Sequence, residues 1–167
     1  MNRTVRLFPL AGLLVAACAA AQTPATPART TAPAAIRSAA PAVGAARTVV
    51  TVYKSPTCSC CNEWEAYLRA AGYQVESVPT EDMAAVKARY GLPESALSCH
   101  TAVIDGYAVE GHVPIAAIED LLATRPAIDG IALPGMPAGS PGMPGVQAAP
   151  FEILAVDEGV TEAFGSY

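Results

Sequence analysis

The sequence predicts one α/β domain of order β-α-β-α-β-β-α, and three observations predict it. A continuous β-branched run, Val49-Val50-Thr51-Val52-Tyr53, reads as a central strand buried on both faces; helical periodicity takes over just after it; and Asp105-Gly106 separates two short strand-like runs as a two-residue hairpin turn would. The chain has 167 residues, enough for one modest apolar core besides its terminal segments.

The first of those segments, residues 1–21, has Arg3 and Arg6, an apolar run from Leu7 to Ala17 and then small residues. That is the layout of a secretory signal peptide, and the run is too short to span a bilayer. Cleavage fits an Ala-x-Ala site near Ala21. It also fits a lipobox-like Val15-Ala16-Ala17-Cys18, which would leave a lipid-anchored lipoprotein with Cys18 at its start. Residues 22–47 are rich in proline and alanine and hold no aromatic residue, so they cannot offset the entropy of ordering and read as a disordered tether. The folded domain is expected over 48–167.

Within it, the strand at 49–53 leads into a first helix in which Trp64, Tyr67, Leu68 and Ala71 share the inward face, with Gly72 ending it in the left-handed conformation. Residues 73–78 alternate as a second strand. Thr80 is placed to N-cap a second helix whose Met83, Val86 and Tyr90 lie together, and Gly91 and Pro93 stop it. Strands at 101–104 and 107–110 flank Asp105-Gly106. Pro114 then opens a third helix at its first position, with Ile115, Ile118, Leu121 and Leu122 inward and Pro126 beyond its end. This order is thioredoxin-like, with a Met/Pro/Gly-rich C-terminal loop and room for an extra strand after it.

Composition narrows the partners. The net charge is −5, and more acidic once Arg3 and Arg6 leave with the leader, so no basic patch exists for nucleic acid. Export places the four remaining cysteines, Cys58, Cys60, Cys61 and Cys99, in an oxidising periplasmic setting, where two disulfides or a guarded metal site are both consistent with an even count.

The spacing favours metal. Cys58-Ser59-Cys60-Cys61 contains a C-x-x-C pair with a third thiol inserted, at the point where the first strand hands over to the first helix. Helix amides and dipole there favour the thiolate, which is both nucleophile and ligand. In a thioredoxin-like sheet the linker end before the third strand lies alongside, usually marked by a cis-proline; here it holds Ser98-Cys99-His100, so Cys60 or Cys61 is expected within metal-bridging reach of Cys99. His112 follows the hairpin, either as a ligand or capping the third helix. Met136 and Met143 occupy matching Pro-Gly-Met-Pro settings and either cover apolar surface or add thioether donors, which suit copper(I) and not zinc. Trp64 is expected in the core, shielding the site from water.

The motifs YKSPTCSCCNEW, SCHTAVIDGYAVEGHVP, Arg125-Pro126 and LPGMPAGSPGM, spread over residues 49–155, resemble the CopG-type copper-resistance proteins of Gram-negative bacteria. The resemblance implies a periplasmic, thioredoxin-like protein that binds copper at the cysteine cluster and interconverts copper(I) and copper(II). It implicates Cys58, Cys60, Cys61 and Cys99 first, then His100, His112, Met136 and Met143, with other copper-handling proteins as partners. Two other readings stand beside it: a thiol-disulfide oxidoreductase with Cys58 attacking and Cys61 resolving, and a structural zinc domain closed by four Cys or three Cys and a His.

Overall fold

The β-branched run forms β1 (Val49–Lys54), the second strand of a seven-stranded sheet in a computed structural model that describes residues 48–167. The leader, the tether and Cys18 lie outside the described residues. Helix α1 (Ser59–Ala70), strand β2 (Gln74–Pro79), helix α2 (Met83–Arg89), the hairpin β3 (His100–Ile104) and β4 (Tyr107–Glu110), and helix α3 (Ile115–Thr124) follow in the predicted order. β1 pairs parallel with β2 and antiparallel with β3, and β3 pairs antiparallel with β4. Asp105 (φ 51°) and Gly106 (φ 93°) both take the left-handed region, which a type I′ turn requires.

Several local expectations are corrected. β1 is not buried on both faces: Val50, Val52 and Lys54 are buried while Thr51 and Tyr53 are half-covered. The reason is α2, a seven-residue helix with no buried residue, which shelters that face only in part. α2 is capped by Asp82, whose side chain accepts from the Ala85 amide; Thr80 instead accepts from the Asp82 amide one step outside. The inward face of α1 is Cys61, Trp64, Glu65 and Leu68, whereas Ala71 is its exposed C-cap. Pro114 stands one position before the first turn of α3, in an extended conformation (ψ 148°).

Where the sequence leaves room for one extra strand, the sheet gains three: β5 (Gly130–Ala132) parallel to β4, then the antiparallel hairpin β6 (Glu152–Asp157) and β7 (Val160–Ser166). The main core lies between one face of the sheet and helices α1 and α3. Val50, Val52, Ala102, Ile104, Val109 and Ile131 meet Trp64, Leu68, Ile118 and Leu121 there. Each such aliphatic side chain contributes about 1.5–3 kcal/mol by leaving water. A smaller cluster, with Leu92, Ala96, Ala108, Ala132 and Val156, covers the other face. Among the described residues no helix is long and apolar enough to cross a membrane.

Candidate metal centre

Three stretches of chain converge at the carboxyl end of β1. Lys54 at that end pairs in register with His100 at the start of β3, and Thr101 pairs with Glu110 at the end of β4. The turn after β1 closes with the Cys58 amide donating to the Ser55 carbonyl at 3.1 Å, and Cys58 becomes the N-cap of α1 with no side-chain cap of its own. The residues after β4 bring His112 to the same end.

The expected meeting of α1 with the Cys99-His100 segment is present. Cys58 and Cys61 are joined as a disulfide, while Cys60 and Cys99 are free thiols. The Cys60 sulfur is 3.4 Å from that of Cys58 and 3.9 Å from that of Cys99, and the Cys61 and Cys99 sulfurs are 3.7 Å apart. A tetrahedral ion with metal–sulfur bonds of ~2.3 Å would hold its sulfurs ~3.8 Å apart, so the gaps across to Cys99 already match.

The imidazoles approach Cys99 from the other side. Its sulfur lies 3.0 Å from Nε2 of His112 and 3.3 Å from Nδ1 of His100. His112 Nδ1 is 2.7 Å from the Pro141 carbonyl, an acceptor, so Nδ1 carries the proton and Nε2 presents its lone pair to the site. This bond and the side-chain-free N-cap of α3 exclude the helix-capping role for His112. His100 is fully buried, its ring centroid 4.5 Å from that of Trp64 and 5.0 Å from that of His112, and its Nε2 has no hydrogen-bond partner. Trp64 is itself buried and fixed by its indole N–H on the Val113 carbonyl at 3.0 Å.

Burial sets the protonation of these groups. It drives His100 down to about 3, with His112 and the Lys87 and Lys54 ammonium groups adding to the effect, and it lowers His112 as well. Both rings are therefore neutral near pH 7, the state a metal ligand needs. The Cys99 thiol is pushed up to about 12 by burial first and then by Cys60 beside it, so it keeps its proton unless a cation displaces it. The donors form two overlapping groups, Cys58, Cys60, Cys61 with Cys99, and Cys99 with His100 and His112, each with its ligand atoms within 4.8 Å of one another. Sulfur and neutral imidazole at these spacings fit a soft cation.

The two methionines part company despite their matching sequence settings. Met136 is 52% exposed. Met143 is half-buried, in a turn that closes on the Ser140 carbonyl, and its neighbour Gly142 packs so closely on α1 that a Cβ there would lie 2.7 Å from the Trp64 amide. Several supporting residues escape sequence reasoning: the Pro141 carbonyl, Gly142, the buried Lys54–Glu65 pair at 2.7 Å and the pair of half-buried Lys87 with buried Glu110. A charge at the inward position of α1 or at the end of a hairpin strand was their one visible sign.

The fold has counterparts. A solved structure titled copper resistance protein CopG, form 2, is 41% identical, superposes with a TM-score of 0.66, and the match covers 72% of this chain and 98% of that one. The chain belongs to the CopG family. Form 1 of the same CopG title gives 41% identity and a TM-score of 0.65 over 71% of this chain and 96% of that chain. Residues 96–143 match the model of a family described as protein of unknown function, DUF411, a span that contains Cys99, His100, His112 and both loop methionines. No curated protein matches the chain. Membership in the CopG family accounts for the mixed α/β sheet.

Proposed function

We propose that the protein is an exported copper-binding protein of copper resistance, which holds copper(I) between Cys58, Cys60, Cys61, Cys99 and the imidazoles of His112 and His100. The observation that carries the reading is the convergence of three further sulfurs and two neutral imidazoles on Cys99. Copper is the cargo. The loop methionines Met136 and Met143 act as secondary thioether donors or as cover.

The Cys58–Cys61 disulfide links binding to redox state. Two electrons and two protons open it and free two further thiols. In the other direction, two copper(II) ions each take one electron from the reduced pair, the sulfur–sulfur bond forms, two protons leave and two copper(I) ions remain. The role is placed outside the cytoplasm by the leader at 1–21, with Cys18 as the point of lipid attachment if the lipobox is read. Copper-handling proteins of the same compartment are the partners.

A second reading is favoured by the disulfide at the N-terminus of α1, the position of a thiol-disulfide exchanger. Against it, the free thiol of Cys99, 3.7 Å from the Cys61 sulfur, is held protonated by burial. The deciding experiment is copper X-ray absorption on anaerobically reduced protein, paired with an insulin-reduction assay without metal. Copper–sulfur scattering with no insulin reduction supports copper binding. The reverse pattern supports exchange, and preferential retention of zinc over copper(I) supports a structural zinc site.

A further inference from the structure

The segment that carries Cys99 has no regular secondary structure to hold it. It leaves a short 3-10 turn (Glu94–Ala96) and enters β3 only at His100, so the Ser98 amide has no strand partner. That amide donates to Oε1 of Glu110 at 2.6 Å, and the Thr101 hydroxyl donates to Oε2 of the same carboxylate at 2.6 Å. Lys87 of α2 bonds the carboxylate too, and its ammonium reaches the Thr101 hydroxyl at 3.4 Å. Glu110 is wholly buried, and three donors from two other elements converge on it.

A buried carboxylate is costly unless its partners are complete, and replacing such an ion pair by apolar residues is often neutral for stability. Stability is thus a weak reason for this arrangement. Its geometry offers a stronger one, because two of the donors, the Ser98 amide and the Thr101 hydroxyl, bracket Cys99 and His100. From the far side Gly111 (φ 78°) admits the segment, since a Cβ there would lie 2.6 Å from the Ser98 side chain.

We propose that Glu110, backed by Lys87, is a positioning residue that clamps residues 98 and 101 and so fixes the reach of Cys99 and His100 to the metal centre. The inference rests on the copper-binding reading, and its test separates the two. Lys87→Met with Glu110→Leu removes both charges and the acceptor; Lys87→Met with Glu110→Gln keeps an acceptor for the Ser98 amide. Copper(I) affinity is measured by chelator competition on reduced protein, in the wild-type and Cys99→Ser backgrounds, alongside thermal unfolding. Alkylation of Cys99 by iodoacetamide in metal-free, oxidised protein is mapped by mass spectrometry, with Cys60 as internal reference.

The expected result is an affinity loss of about tenfold or more for the Leu variant, largely recovered by the Gln variant and smaller in the Cys99→Ser background, with faster alkylation of Cys99 and not of Cys60. An equal loss in the Cys99→Ser background, or unchanged Cys99 alkylation, overturns the proposal. If wild-type protein fails to bind copper(I), the copper reading falls, and the alkylation result alone decides for or against the clamp.

Discussion

The two halves of the centre are built on different principles. The sulfur half, Cys58, Cys60 and Cys61, is packed into one turn at the start of α1, with Cys58 and Cys60 half-exposed and two of its three sulfurs joined to each other. The imidazole half, His100 and His112, is fully buried, neutral and fixed through the Pro141 carbonyl and the Trp64 ring. Each half is braced by a lysine paired with a buried carboxylate. Lys54 binds Asn62 and Glu65 of α1, and Lys87 binds Glu110 of β4. Burial alone would raise Glu65, but hydrogen bonds from Lys54, Ser77 and Arg69 together outweigh it and leave its carboxyl below the usual range. The contrast is one of redox response: reduction of the disulfide would add two free sulfurs to the cysteine half, while the imidazole half holds no redox-active bond. Cys99 belongs to both.

That shared position gives the sharpest way to break the comparison. Serine at Cys99 should lower copper(I) affinity more than serine at Cys58, Cys60 or Cys61. Every one of the four should exceed the ~10–100-fold that outer-sphere partners cost. Chelator competition on reduced protein reads this directly, and a Cys99 variant with wild-type affinity would sever the halves.

The buried half should reveal itself in acid, before any metal is added. His100 is held at about 3 in the folded protein against an ordinary value of 6.5, so below 6.5 the unfolded chain takes up a proton that the folded one refuses. Stability is therefore complete above pH 6.5 and falls with acidification towards pH 3, at up to about 1.4 kcal/mol per pH unit from this group. His112, also lowered, acts in the same direction. Urea unfolding of metal-free protein between pH 7 and pH 5, above most carboxylate titration, checks it, and His100→Phe should flatten the slope. Part of the slope remains with His112, so only a slope left unchanged by His100→Phe would assign the effect elsewhere.

Gly142 joins the halves mechanically. Alanine there meets the α1 backbone and must keep a left-handed φ of 83°, which should cost about 1–3 kcal/mol of stability. It should also loosen the Pro141 carbonyl from His112, so the loss on chemical denaturation should come with weaker copper(I) binding. The smallest effect is expected from Met136→Leu with Met143→Leu, a loss well below that of any single cysteine change, because a neutral thioether adds no charge to the cation. If the pair outweighs a cysteine in the same competition assay, the loop and not α1 is the main site.

How much of this was legible follows from sequence distance. Three thiols in four residues announce themselves, and the element order placed Cys99 and His100 beside them, while the role of His112 stayed open between ligand and helix cap. The final strands were hidden: β5 is the three-residue Gly130-Ile131-Ala132, too short for a period, and the β6–β7 turn uses Glu158 (φ 48°) before Gly159 in place of Asn or Asp. The Pro141 carbonyl was invisible, since a backbone acceptor leaves no mark in a side-chain pattern. Glu65 and Glu110 were misleading because the pattern reads a carboxylate as a solvated face, and only partners distant in sequence turn it inward.

The bond between Cys58 and Cys61 makes the molecule a record of its own handling. Among the described residues, a sample kept in air offers two thiols, whereas the same polypeptide after a strong reductant offers four, with no change in sequence. Metal-to-protein ratios measured on the two will differ, and each will be correct for its sample. Counting titratable thiols before loading is therefore part of defining which molecule is in the tube.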